Sequence, residues 1–120
     1  MRIEEIRALL KRHVPGATVV KAKHEEAGNV ELVLLEAAMG NYRIVIREVW
    51  VRGRLKRYGY QLLRGGSSIL RYNNAPHHHD VPTFPHHKHI GSRVEPLEKP
   101  NLETFLEEAR RYCRKKCRWS

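Results

Sequence analysis

The chain has 120 residues, enough for one domain with one modest core, and its hydrophobic fraction of 41% is ordinary for a globular protein. No apolar run reaches the length of a membrane span, and the charged residues 1–5 lack the apolar stretch of a signal peptide. These features argue against a membrane-spanning helix, so we expect a cytoplasmic protein with no membrane partner.

The formal net charge of +10 is concentrated in two blocks. Residues 43–72 carry eight basic side chains and one acid, and residues 110–120 carry six basic side chains and no acid. Such blocks indicate a polyanionic partner, for which we predict RNA, although a solvated basic surface is the simpler alternative. The first block supplies the predicted nucleic-acid-binding residues: Arg43, Arg47, Arg52, Arg54, Lys56, Arg57 and Arg64.

The first three-fifths of the chain predict a helix followed by strands. Residues 2–13 carry apolar side chains at helical spacing and precede Pro15 and Gly16, which end the helix. Five strand-like runs follow, separated by glycine-containing turns, and they predict a five-stranded antiparallel β-meander. An exposed edge of such a sheet can pair two protomers, which makes a homodimer one expectation. The runs are 17–26, 30–39, 42–51, 55–64 and 67–73.

The third run contains an irregularity in its alternation. Ile44 and Ile46 share one phase, whereas Val49 and Val51 share the other. This slip predicts either a β-bulge at residues 47–48 or a strand that is buried on both faces.

The last part of the chain predicts a long loop and a helix. Residues 74–100 hold five of the six prolines, which predicts a long functional loop with a short extended piece at 86–90. Residues 101–117 have apolar side chains at helical spacing, with Asn101 as the N-cap. Together these features predict one α+β domain over residues 1–120, with a His/Pro-rich functional loop at 74–100.

The loop contains six of the eight histidines within thirteen residues. A neutral imidazole is suited to general acid–base catalysis, so the first interpretation is metal-free RNA cleavage by a ribonuclease. In this scheme His87 or His89 removes the ribose 2′-hydroxyl proton, and His77 or His78 protonates the leaving oxygen. Cations stabilise the phosphoryl charge, and no cofactor is favoured. The predicted catalytic residues are Arg71, His77, His78, His86, His87, Lys88 and His89.

Two other interpretations stay open. His87 and His89 are two residues apart and point the same way on an extended segment. With His77 or His79, and with Asp80, they complete a set for zinc or another divalent transition metal, as in a hydrolase or a metal-binding module. The third interpretation is a non-catalytic nucleic-acid-binding protein, in which the basic blocks act without the histidines.

The segment from Arg71 to His78, RYNNAPHH, and the segment from Thr83 to His89, TFPHHKH, resemble the TumE-type toxin family. The family pattern is approximately R-[YW]-D-N-A-P-H-H, a short spacer, and F-P-H-H-K-H. Asn73 stands where an aspartate is common, and His79 is an extra histidine in the spacer. The resemblance implies the toxin of a toxin–antitoxin pair with a cognate antitoxin, and it allows RNA cleavage. It adds Asn74 to the nucleic-acid-binding set and marks Arg71, His77, His78, His86, His87, Lys88 and His89.

Overall fold

The computed structural model describes residues 2–76, 81–98 and 100–117, with side chains as far as Cys113 in the last helix. This part of the chain forms two helices and seven strands. Their bounds are α1 Arg2–His13, β1 Thr18–Ala27, β2 Val30–Met39, β3 Tyr42–Val51, β4 Arg54–Arg64, β5 Ser67–Asn73, β6 His87–Ile90, β7 Arg93–Pro96 and α2 Leu102–Cys117.

The strands form one sheet in sequential order from β1 to β7, and every neighbouring pair is antiparallel. The α+β class, the two terminal helices and the meander are therefore confirmed, and β1 to β5 begin and end within one residue of the predicted runs. The strand number of five was wrong, because part of the predicted loop at 74–100 forms the β6–β7 hairpin. Gly91, at φ +59°, permits its tight turn, and Pro96 ends the edge strand.

The two helices cover one face of the sheet, which we call the covered face. Its core includes Leu35, Ile46 and Tyr60 from the strands, together with Ile6 and Phe105 from the helices, all 0% exposed. The opposite side, which we call the open face, carries the alternate residues of each strand. Within the described residues, no helix is long and apolar enough to cross a membrane.

Glu48 explains the irregular alternation of β3. The β2–β3 register is continuous through residues 47–48, so the predicted bulge there was wrong. Glu48 occupies a covered-face position at 1% exposure, where it accepts hydrogen bonds from Arg2 Nε (2.7 Å), Tyr60 Oη (2.6 Å) and Trp50 Nε1 (2.9 Å). A paired charge thus replaces an apolar residue in the core without disturbing the strand period.

Candidate nucleic-acid interface and histidine site

The β5–β6 ladder brings three of the predicted catalytic residues together on the open face. Arg71 lies directly across from His89, and Asn73 lies across from His87. The rings of His87 and His89 contact each other edge to face, with centroids 5.0 Å apart. Because cross-strand neighbours on one face have Cβ atoms about 5 Å apart, Arg71 and both imidazoles form one compact group.

Arg71 contributes a buried donor to this group. Its Nε atom is buried and has no hydrogen-bond partner within the described part of the chain. Buried polar atoms are nearly always satisfied, and the guanidinium group matches carboxylate or phosphate oxygens. Arg71 as a whole is partly exposed, so its guanidinium group is the cation that the open face offers to an anionic ligand at this point.

His87 is held in a defined tautomer. The residue is 2% exposed, and its Nδ1 lies 2.9 Å from the carbonyl oxygen of Pro85. Since a carbonyl oxygen can only accept, Nδ1 carries the hydrogen, and the neutral ring has its lone pair on Nε2. This is the tautomer that a base or a metal ligand acting through Nε2 requires.

Lys88, on β6, and His86, which immediately precedes that strand, contact covered-face side chains instead. Lys88 Nζ is 3.4 Å from both carboxylate oxygens of Glu108 on α2, and Tyr72 donates a hydrogen bond to the same carboxylate. Burial, with this hydrogen bond, raises the pKa of the Tyr72 hydroxyl. His86 Nδ1 lies 2.9 Å from Tyr58 Oη, and the two rings stack. The alternation of β6 thus separates Lys88 from His87 and His89, and the contact with Tyr58 places His86 on the covered-face side as well.

The remaining members of the predicted catalytic and metal sets, His77, His78, His79 and Asp80, lie outside the described residues. In the described chain, two other clusters have donor atoms within 4.8 Å that are suited to a metal ion. They are His13 with Glu103 and Glu107, and His24 with Glu26 and Glu31. Their shortest contacts are His13–Glu103 at 2.7 Å and His24–Glu31 at 2.9 Å, which are ion-pair geometries when the imidazole is protonated. Glu103 and Glu31 lie on other elements than the histidines, so sequence spacing does not predict these clusters.

The predicted nucleic-acid-binding residues do not all share one surface. Arg43, Arg47 and Arg57 lie on the open face with Arg71, as their register positions show. The Arg64 guanidinium lies over the Tyr42 ring at 5.8 Å. The other basic residues, Arg52, Arg54 and Lys56, lie in or beside the turn between β3 and β4.

Asn74 forms hydrogen bonds with the backbone of β4. The residue is 9% exposed, its Oδ1 accepts from Tyr58 N, and its Nδ2 donates to Lys56 O, each at 3.0 Å. Lys56 is the extra residue where the β3–β4 register shifts. Asn74 therefore satisfies backbone groups at this irregularity.

Charge is distributed unevenly across the open face. Near β1 and β2 the cations are compensated: Glu36 lies 4.0 Å from Lys21 and 3.6 Å from Arg43, and Lys23 pairs with Glu25 at 3.1 Å. Within the described residues, no ion pair reaches Arg47, Arg57 or Arg71. The uncompensated positive charge thus lies on β3, β4 and β5, beside His87 and His89.

Comparison with protein-family models matches residues 4–116 to the family described as toxin TumE. The chain belongs to the TumE toxin family. Comparison with curated proteins and with solved structures gave no match. TumE membership identifies a toxin component and implies a cognate antitoxin partner.

Hydrogen bonds within the TumE motif explain why some of its residues are polar. Asn73 Oδ1 accepts a hydrogen bond from Ala75 N at 3.1 Å, and the aspartate common in the family can accept the same bond. Thr83 Oγ1 donates to His86 O at 2.6 Å and accepts from Leu97 N at 2.8 Å. These residues shape the chain on either side of the histidines, so part of the motif serves the local fold.

Proposed function

We propose that this TumE-family toxin is a cytoplasmic, metal-independent endoribonuclease whose site lies on the open face, where β5 pairs with β6. The observation that carries the proposal is the placement of Arg71. Its buried Nε lacks a hydrogen-bond partner in the described chain, and its cross-strand neighbour is His89. A cation with an unsatisfied donor beside imidazoles is suited to a phosphate that undergoes proton-coupled attack.

The reaction divides among these groups as follows. A base from the pair His87 and His89 removes the proton of a ribose 2′-hydroxyl, and the resulting oxygen attacks the adjacent phosphorus. Arg71 stabilises the negative charge that builds on the phosphoryl oxygens. The bond to the 5′-oxygen breaks, and His77 or His78 supplies the proton that this leaving oxygen takes up. The products are a 2′,3′-cyclic phosphate and a 5′-hydroxyl.

His89 is the stronger candidate for the base. It is partly exposed and faces Arg71, whereas His87 is 2% exposed and held by Pro85. We assign His87 to positioning the His89 ring through the edge-to-face contact. Arg47 and Arg57, which lack ion pairs in the described chain, are suited to phosphates on either side of the cleaved bond.

Zinc-dependent hydrolysis is the second candidate, and the common direction of His87 and His89 favours it. His77 or His79, with Asp80, would have to complete such a site. The two mechanisms differ in their response to a chelator, because removing the metal abolishes only the second.

The test is an RNA-degradation assay on untagged protein, with and without EDTA, combined with elemental analysis of the same sample. Metal-independent cleavage predicts activity that persists in EDTA and is lost in His89→Ala. Stoichiometric metal with chelator-sensitive activity would establish the zinc mechanism instead. Salt-dependent RNA binding without cleavage would instead support a non-catalytic nucleic-acid-binding protein.

We also propose that two copies of the chain form a homodimer by pairing along β1. This strand lies at the edge of the sheet, most of its residues are exposed, and Val20 is 51% exposed. An unpaired edge of ten residues is suited to pairing with a second copy. Light scattering over a concentration series tests this, and a monomer at all concentrations contradicts it.

A further inference from the structure

Gly59 leaves a gap in the side chains of the open face. Its neighbours Tyr58 and Tyr60 are buried in the covered face, so the missing side chain belongs to the open face. A Cβ atom built on Gly59 meets no atom within 4 Å in the described part of the chain, and its φ is not in the left-handed region. The backbone conformation therefore does not require glycine here, although a glycine within a strand weakens it.

Four polar side chains surround this gap, and we call this arrangement the ring. Arg47 on β3 and Asn73 on β5 are the direct cross-strand partners of Gly59. Arg57 and Gln61 lie two residues before and after it on β4, and they share its face. With strands about 4.8 Å apart and a rise of about 3.3 Å per residue, the ring spans about 10 by 13 Å. These dimensions fit one nucleotide.

The chemistry of the ring is divided in two. Arg47 and Arg57 offer guanidinium groups that match phosphate oxygens, whereas Gln61 and Asn73 offer carboxamides. A carboxamide presents a donor beside an acceptor, which is the pattern that reads a base edge. Asn73 uses its Oδ1 for Ala75 N, so its NH₂ group is what it offers a ligand.

The gap also adjoins the histidine site. Asn73 is the cross-strand partner of both Gly59 and His87, and Gln61 is the partner of Arg71. We propose that the depression over Gly59 binds one unstacked nucleotide of single-stranded RNA next to the cleaved bond, and that Gln61 sets the base preference there. This inference rests on the proposed function, because it makes RNA the ligand of the open face. Base edges are accessible to side chains in single strands, whereas an A-form duplex hides its major groove.

The experiment fills the gap and measures binding separately from cleavage. Labelled oligonucleotides with 2′-O-methyl riboses cannot be cleaved by 2′-hydroxyl attack, so fluorescence anisotropy reports binding to the active protein. Gly59→Val adds a strand-forming side chain at the centre of the ring. Ala38→Val adds similar bulk on the same face of β2, opposite Arg43 and outside the ring. Thermal melting confirms that both variants fold.

We expect Gly59→Val to weaken binding about tenfold, as for the loss of one bound base, while Ala38→Val binds like the wild type. Gln61→Ala should reduce the differences in affinity among oligo-A, oligo-C and oligo-U. Wild-type affinity in a folded Gly59→Val variant would overturn the inference, and so would the absence of binding to the wild type. A third outcome separates the two proposals. If the wild type binds RNA and Gly59→Val weakens that binding, but the wild type cleaves no RNA, the nucleotide site stands and the proposed cleavage is refuted.

Discussion

The ammonium nitrogen of Lys88 lies 3.4 Å from both carboxylate oxygens of Glu108, on the covered face of the sheet. Its chain neighbours His87 and His89 lie on the open face. One four-residue strand therefore has two roles: Lys88 joins β6 to α2, and the two histidines face the proposed RNA site.

The pairing of Lys88 with Glu108 leads us to expect a structural effect from its removal. Lys88→Met should lower the free energy of unfolding by about 1–2 kcal/mol, because Glu108 is 13% exposed and would lose a cationic partner. Chemical denaturation measures this, and the RNA assay should show near wild-type cleavage at temperatures where the variant is folded. Arg93→Ala, which removes a more exposed pair with Glu95, should cost less than about 0.5 kcal/mol. A fully stable Lys88→Met protein without cleavage would place Lys88 in the chemistry instead.

Arg71 should be required for cleavage more than for folding. Arg71→Ala should reduce the cleavage rate by about 100- to 1,000-fold, as for the removal of one donor to a developing oxyanion. Arg71→Lys should recover part of this rate, because it keeps the charge but loses the forked donors. Single-turnover cleavage of a defined RNA measures both variants. Arg7→Ala, on the exposed surface of α1, is the matched control and should cleave normally; equal losses in Arg7→Ala and Arg71→Ala would refute the assignment.

The adjacent asparagines should respond differently to the same substitution. Asn73→Asp keeps the acceptor for Ala75 N, so its melting temperature should stay close to that of the wild type. Asn74→Asp replaces the buried NH₂ donor to Lys56 O by a carboxylate oxygen. We expect this to lower the free energy of unfolding by about 2 kcal/mol or more. Thermal and urea denaturation of the two variants compare them directly. Equal stabilities would contradict the role assigned to Asn74.

The buried network around Glu48 should make stability depend on pH in the acid range. Burial raises the pKa of Glu48, but the hydrogen bonds from Arg2, Tyr60 and Trp50 outweigh it, and the pKa lies below its ordinary value. A carboxyl with a lowered folded-state pKa stabilises the fold above its unfolded pKa, and this contribution is lost as the pH falls through the folded value.

We therefore expect Glu48→Gln to lower the free energy of unfolding by about 3 kcal/mol at neutral pH, because Arg2 loses its buried partner. The difference in the free energy of unfolding between wild type and variant should shrink as the pH falls below the ordinary glutamate range. Urea denaturation at several pH values measures it. A constant difference down to the lowest pH would contradict the assigned ion pair.

The sheet could be predicted because its turns and strands have strong local signals. Glycines at φ near +60° end β1 and β2, and the alternation of Tyr58, Tyr60 and Leu62 indicates a half-buried strand. The extended piece predicted at 86–90 corresponds to β6, but β7 and its hairpin pairing with β6 were missed because prolines surround the two short strands. The stability of this hairpin depends on pairing with β5, which local sequence does not encode.

The histidine site could be predicted only in part. The motif made Arg71, His87 and His89 candidates, and the structure brings the three together on the open face, with the two histidines on the same side of an extended segment. The separation of Lys88 from them depends on the position of α2, since Glu108 is twenty residues away in the chain. Gln61 and Gly59 have no motif of their own, and only the register places them beside Arg71 and Asn73.

The measurement that tests the central claim most directly is mass spectrometry of the ends of RNA fragments made by the untagged protein in excess EDTA. The proposed mechanism predicts fragments with 2′,3′-cyclic phosphate and 5′-hydroxyl ends, formed at the same rate with and without the chelator. Their formation should slow by about 100- to 1,000-fold in Arg71→Ala and be lost in His89→Ala. Fragments with 5′-phosphate ends, or cleavage that EDTA abolishes, would contradict a metal-independent attack by the 2′-hydroxyl.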